Sequence, residues 1–63
     1  MAALPEAVRV ARTERGMSQR QLAARLNVSQ PAICRIERGR NVPKLANFAA
    51  LVSELGLDPR EVL

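Results

Sequence analysis

Histidine is absent from the 63 residues, and cysteine occurs once, as Cys34. The first absence removes the commonest general base and excludes Ser-His and Cys-His nucleophile pairs. Together they take away the nitrogen and sulfur ligands of a zinc site, and one thiol cannot form a disulfide within the chain. Aromatic residues are almost missing too: Phe48 stands alone, without Trp or Tyr. It lies among aliphatics and is expected in the core, so single-strand binding by aromatic stacking loses its platform. The longest apolar run, Phe48 to Val52, is far short of the ~20 residues of a membrane-spanning helix. At this length one domain is expected, over residues 1–63, and no enzymatic constellation, metal, cofactor, small-molecule ligand or membrane partner is foreseen.

What is present is positive charge. Ten Lys and Arg face six Asp and Glu, for a net charge of +4 and an isoelectric point near 11.1. Nine of the ten cations are Arg, which suits bidentate contact with phosphates or base edges better than a lysine coat does. The charge is also segregated: residues 9–44 hold nine cations and two acids, while both ends are net acidic. A basic half of a small domain points to a polyanion, nucleic acid before an anionic membrane.

Glycine and proline mark where helices begin and end. Pro5 opens the first apolar pattern and Gly16 follows it; Gly39 and Gly56 close later ones, and Asp58-Pro59 opens the last. Between these marks the sequence predicts five helices, near 5–15, 18–26, 29–37, 44–55 and 58–62, and no strand. Ser18-Gln19-Arg20-Gln21 has the form of a capping box, Asp58-Pro59-Arg60-Glu61 is an acidic counterpart, and Ser29 is placed to cap the third helix. Lys44 stands where a cap would be expected. Spacing at i+3 and i+4 nominates a core of Val8, Ala11, Leu22, Ala23, Leu26, Ile33 and Ile36. Leu45, Phe48, Leu51, Val52 and Leu55 add a wide apolar face on the fourth helix, and Leu57 and Val62 close the end.

Between the second and third helices only Asn27 and Val28 remain. A turn this tight needs a residue tolerant of positive φ, which Asn27 is, and a small residue where the helices cross, which Ala23 supplies. Arg12, Gly16-Met17-Ser18-Gln19, Leu22-Ala23, Leu26, Val28-Ser29, Ile33, Arg35-Ile36-Glu37-Arg38-Gly39, Pro43 and Leu55-Gly56 resemble the Cro/Xre-type helix-turn-helix family from about Val8 to Leu63. Asn27 in place of the usual turn glycine, Ala11 in place of a larger aliphatic and Lys44 in place of the usual cap depart from its pattern.

The resemblance implies an all-α, five-helix, lambda-repressor-like DNA-binding domain whose helix-turn-helix spans about 18–38. It implies that the third helix enters the major groove and places Gln30, Pro31 and Arg35 at base edges, with Ala32 against a thymine methyl. Arg35 has the fork for guanine O6 and N7, and Gln30 the amide for adenine N6 and N7, each discriminating by about 1–3 kcal/mol. Gln19, Ser29, Arg38, Arg40 and Lys44 are expected on phosphates. Arg12 and Glu37 are expected to pair structurally. Arg9, Arg15, Arg20 and Arg25 receive no role beyond a solvated basic face, and Cys34 is read as a small side chain in preference to a redox switch.

One recognition helix reads too few base pairs for useful specificity. A homodimer on a two-fold operator is therefore expected, with half-sites roughly 34 Å apart. Leu57, Pro59, Val62 and Leu63 are its expected interface, although a fragment of a longer regulator would expose the same apolar end. The function so implied is a sequence-specific regulator of transcription on double-stranded DNA, acting as a repressor in a bacterial or phage-infected cytoplasm. Alternatives are an antitoxin, a restriction-modification controller that regulates its own operon, and a protein-interaction module that has kept the scaffold. Gln30, Arg35, Arg38 and Arg40 on the expected recognition face favour DNA over the last of these.

Overall fold

Small polar residues set the helix boundaries. In the computed structural model, which describes residues 3–62 apart from the side chain of Glu61, four helices of eight or eleven residues are followed by one closing turn. They are α1 (Leu4–Glu14), α2 (Gln19–Leu26), α3 (Gln30–Glu37), α4 (Leu45–Leu55) and the four-residue α5 (Pro59–Val62). No strand occurs among the described residues. The five expected helices thus reduce to four, with a single turn where the fifth is expected.

Ser18 begins α2 with a complete capping box: its Oγ accepts from the Gln21 N–H at 3.0 Å, and its own N–H donates to Gln21 Oε1 at 2.8 Å. Ser29 Oγ accepts from the Ala32 N–H at 3.3 Å at the start of α3. Neither Ala3 nor Lys44 supplies a side-chain cap. At the last turn Asp58 Oδ1 accepts from the Arg60 N–H at 2.9 Å.

The turn between α2 and α3 is a left-handed stop. Asn27 adopts φ 57° and ψ 44°, the one non-glycine residue at positive φ among those described. The Val28 N–H then closes back on Ala23 O at 3.0 Å. Gly56 ends α4 in the same way, at φ 64°; a Cβ there would lie 3.2 Å from Arg15 Nη2.

Eight residues are buried: Val8 and Ala11 from α1, Leu22 and Ala23 from α2, Ile33 and Ile36 from α3, Leu51 and Leu55 from α4. Leu4, Met17, Leu26, Val28 and Leu57 pack around them. α3 lies against both α1 and α2, and α4 closes the other side of those two helices. Truncating a fully buried Leu22 or Ile33 to Ala would cost about 2–5 kcal/mol, a large share of the stability of so small a domain.

Four expected core positions, Leu45, Phe48, Val52 and Val62, are not core. Leu45 is 82% exposed, and Phe48 is half-buried on an open apolar groove lined also by Leu4, Pro5, Val42 and Val62. The helical repeat gives the reason. Leu45 is rotated about 120° from Leu51 around α4, so when Leu51 and Leu55 point into the core, Leu45 looks past its edge. Phe48 faces nearly the same way as Leu55 but lies about two turns nearer the helix start, where the open groove leaves it half-covered. The apolar face of α4 is wider than the surface α1 and α2 offer it.

Asn27→Ala should destabilise the domain by about 1 kcal/mol, the cost of a left-handed Cβ-bearing residue without a compensating side chain, while Asn27→Gly should be neutral or stabilising. Urea unfolding followed by circular dichroism checks both. Equal stability for the two variants would mean that backbone strain does not govern this turn.

Candidate nucleic-acid interface

The turn geometry brings the exposed face of α3 beside the loop that follows it. Gln30, Pro31, Cys34 and Arg35 of α3 line a shallow depression of about 360 Å³ together with Arg38 and Arg40. Pro31, Arg35, Arg38 and Arg40 are exposed, and Gln30 and Cys34 half-buried. Three of the four residues expected at base edges therefore share one surface with two of those expected on phosphates. Ala32 does not join them: it lines a second concavity, between α3 and α4, with Val28, Lys44 and Asn47. Lys44 is thus separated from Arg38 and Arg40 and grouped with Ala32.

Charge on this surface is uncompensated. Among the described residues, Arg35, Arg38 and Arg40 form no ion pair, whereas Arg9 lies 3.9 Å from Glu6 and Arg25 2.8 Å from Glu54. Arg15 Nη1 donates to Ala11 O at 3.1 Å. Arg15 and Arg20, away from α3, likewise lack an acidic partner among the described residues, so what distinguishes Arg35, Arg38 and Arg40 is that the three share one depression with Gln30 and Pro31. Ser29 is exposed at the start of α3; its oxygen is engaged by the Ala32 N–H, which leaves its hydroxyl proton to donate outward.

Behind the surface sits a polar junction of three helices. Arg12 Nε and Nη2 donate to the two carboxylate oxygens of Glu37 at 2.7 and 3.0 Å, and Arg12 Nη1 donates to Met17 O at 2.8 Å. The side chains are 13% and 4% exposed. The hydrogen bond from Arg12 to Glu37 raises the guanidinium pKa above its already high ordinary value; burial opposes the shift, and the charge of Glu37 adds to it. Folded Arg12 therefore binds its proton more tightly than unfolded Arg12. The linked stabilisation is fully present below the arginine titration range and is lost only as pH rises through it, so Arg12 adds no pH dependence near neutrality.

Glu37 Oε1 also accepts from Gln19 Nε2 at 3.1 Å, and Gln19 Oε1 accepts from Gln30 Nε2 at 2.7 Å. The sequence places Gln19 on a phosphate alone; its link to Gln30 crosses two helices and carries no local signal. Of the expected interface residues, Leu57 turns toward the core, Pro59 is exposed, and Val62 lines the apolar groove beside Phe48. Leu63 lies outside the described residues.

Residues 8–62 match the helix-turn-helix family model. An HTH-type transcriptional regulator of Haemophilus influenzae is 42% identical over 45 residues, which are 71% of this chain and 46% of that protein. The chain thus spans about half the length of this curated relative. Among solved structures, the restriction-modification controller protein C.AhdI from Aeromonas hydrophila aligns with a TM-score of 0.82 at 30% identity, covering 95% of this chain and 91% of that one. A mutant of the restriction-modification controller protein C.Esp1396I aligns with a TM-score of 0.78 over 92% of this chain and 75% of its own, a likeness of fold alone at 24% identity. No described helix is long and apolar enough to cross a membrane.

Arg12→Ala should cost about 3 kcal/mol in urea unfolding, because it strands the Glu37 carboxylate in a nearly closed site; a loss below about 1 kcal/mol would make the pair an ordinary surface ion pair. The residue pattern, the left-handed turn at Asn27, the α2–α3 packing and the matched family model agree: the chain belongs to the helix-turn-helix family of DNA-binding transcriptional regulators.

Proposed function

We propose that this chain is a single DNA-reading domain over residues 1–63 that represses transcription in the cytoplasm, as a homodimer on a two-fold operator. The observation that carries this reading is the exposed, unpaired set Arg35, Arg38 and Arg40 gathered around Gln30 and Pro31 on one face of α3. In this reading Arg35, Gln30 and Pro31 meet base edges, Ala32 reaches a thymine methyl at the margin, and Arg38, Arg40, Lys44, Ser29 and Gln19 hold phosphates. The closing turn at Pro59–Val62 serves as the fifth helix and takes part in dimer contact.

The dimer follows from arithmetic of size. Eight residues of α3 reach a few base pairs, and specificity against a genome needs a second half-site. The domain measures 26 × 23 × 19 Å, so two abutting copies can set equivalent recognition helices one DNA turn, roughly 34 Å, apart. The surface assigned to the contact is the exposed Pro59, Val62 with its groove neighbours Phe48 and Leu45, and the partly covered Leu57, with Leu63, outside the described residues, assigned to it from the sequence alone. A narrower reading is favoured by the likeness to C.AhdI along nearly the whole of both chains: a controller of a restriction-modification operon that binds its own promoter.

Selection of bound duplexes from a random pool tests the proposal as a whole, and enrichment of a two-fold motif is the expected result. Failure to enrich any motif would remove DNA reading; a single half-site would remove the dimer. Arg35→Ala should flatten preference at one position of each half-site with little change in salt dependence, whereas Arg40→Ala should weaken all sequences alike and lower the log–log salt slope by about one. Exchange of these two behaviours would reverse the assignment. Leu45→Glu, at an exposed site, should leave the thermal midpoint of the monomer nearly unchanged and shift sedimentation toward monomer; an unaltered dimer would place the contact elsewhere.

A further inference from the structure

The hydrogen bonds that leave the Arg12–Glu37 pair toward the recognition surface have a direction. Glu37 takes both Arg12 donors and the Gln19 amide nitrogen, and Gln19 passes its carbonyl oxygen on to Gln30 Nε2. An ionised carboxylate only accepts. Gln19 must therefore turn its nitrogen to Glu37 and its oxygen to Gln30, and Gln30 must turn its own nitrogen inward. What Gln30 then presents outward is its carbonyl oxygen and its second N–H.

We propose that Glu37 is a positioning residue for base recognition: acting through Gln19, it sets the polarity of the Gln30 amide. An acceptor beside a donor complements adenine, whose N6 donates and N7 accepts, and mismatches guanine, which offers two acceptors. Reversing the Gln30 amide would set its oxygen against the oxygen of Gln19, and reversing both would set an amide oxygen against the Glu37 carboxylate. The ion pair that fixes the end of α3 thereby also biases the base read at its start, eleven residues from Gln19 in sequence. This inference rests on the DNA-reading surface proposed above.

The test is duplex selection followed by competition between duplexes that differ at one base pair, on the 63-residue chain and its Gln30→Ala, Gln19→Met and Glu37→Gln variants, with folding followed by circular dichroism melting. Ratios between duplexes cancel any loss common to all sequences, including loss of a Gln19 phosphate contact. Gln30→Ala identifies the position that Gln30 reads, where the wild-type chain should prefer adenine. Gln19→Met leaves both Arg12–Glu37 bonds in place and should lower the adenine-to-guanine ratio there by about fivefold or more, the lower end of what a bidentate contact provides, with the position read by Arg35 unaffected. Glu37→Gln can offer an amide nitrogen to Gln19, invert both amides, and move the preference toward guanine.

An unchanged ratio in folded Gln19→Met overturns the inference, as does an equal loss across all duplexes or a wild-type preference other than adenine at the Gln30 position. If Glu37→Gln does not fold, Gln19→Met decides alone. A wild-type chain that enriches no motif at all instead overturns the DNA-reading surface, and this inference with it.

Discussion

The Glu37 carboxylate is where α1, α2 and α3 are tied together: Arg12 of α1 donates to both of its oxygens, Gln19 of α2 donates to one, and Glu37 itself ends α3. The apolar core cannot do the same work. Burial is worth roughly 25 cal/mol per Å² wherever the contact is made, so eight small and aliphatic residues hold the helices together without strongly fixing how far α3 is rotated. A forked, two-point hydrogen bond does fix it, because both oxygens must meet both donors. Rotation of α3 decides whether Gln30 and Arg35 share the outer face. Desolvating two charges offsets much of what the pair contributes to stability, so its main consequence is orientation.

Local signals in the sequence were enough for the helix ends and the turn. Ser18, Ser29, Asn27 and Gly56 act within a few residues of themselves, through caps and left-handed backbone, and such effects are legible from residue type and spacing. The rotation of α4 was not. Leu45, Phe48 and Leu51 form one apolar face in the sequence, and only the width of the surface presented by α1 and α2 decides that Leu51 is covered while Leu45 is bare. Within the candidate site, Gln30, Pro31 and Arg35 are nominated through the resemblance to the Cro/Xre-type helix-turn-helix family, and the fold places all three on one depression. Ala32 falls on a different concavity from Pro31 because a single helix position, about 100° on, changes the face, and Lys44 joins it there because it precedes α4, which forms the other wall. The bond from Gln19 to Gln30 depends on how two helices cross, and nothing in either residue's neighbours announces it.

The same contrast separates the arginines. In the sequence they form one basic half; in the folded chain the acids Glu6 and Glu54 are set against Arg9 and Arg25, and the interior carboxylate against Arg12. Of the six cations left without an acidic partner among the described residues, Arg35, Arg38 and Arg40 share one depression at the end of α3 and the loop beyond it, while Arg15, Arg20 and Lys44 lie elsewhere. Arg35 lies in the last turn of α3, where the negative end of the helix dipole favours a cation, so part of this charge is tolerated without a ligand.

At the opposite ends the balance is reversed. Only α1 carries an acid in its first turn; α2, α3 and α4 begin with none. Ser18 and Ser29 cap α2 and α3 with neutral oxygens, and α4 has no side-chain cap, so none of the three starts has a carboxylate set against its dipole. The domain thus forgoes a few tenths of a kcal/mol at each of these helix starts. Leaving arginines unpaired on one surface adds a mutual repulsion that phosphate would relieve. Both omissions cost the free protein stability. A partly buried ion pair that fixes α3 without borrowing any of the outward-facing cations is what lets a domain with so thin a core tolerate them.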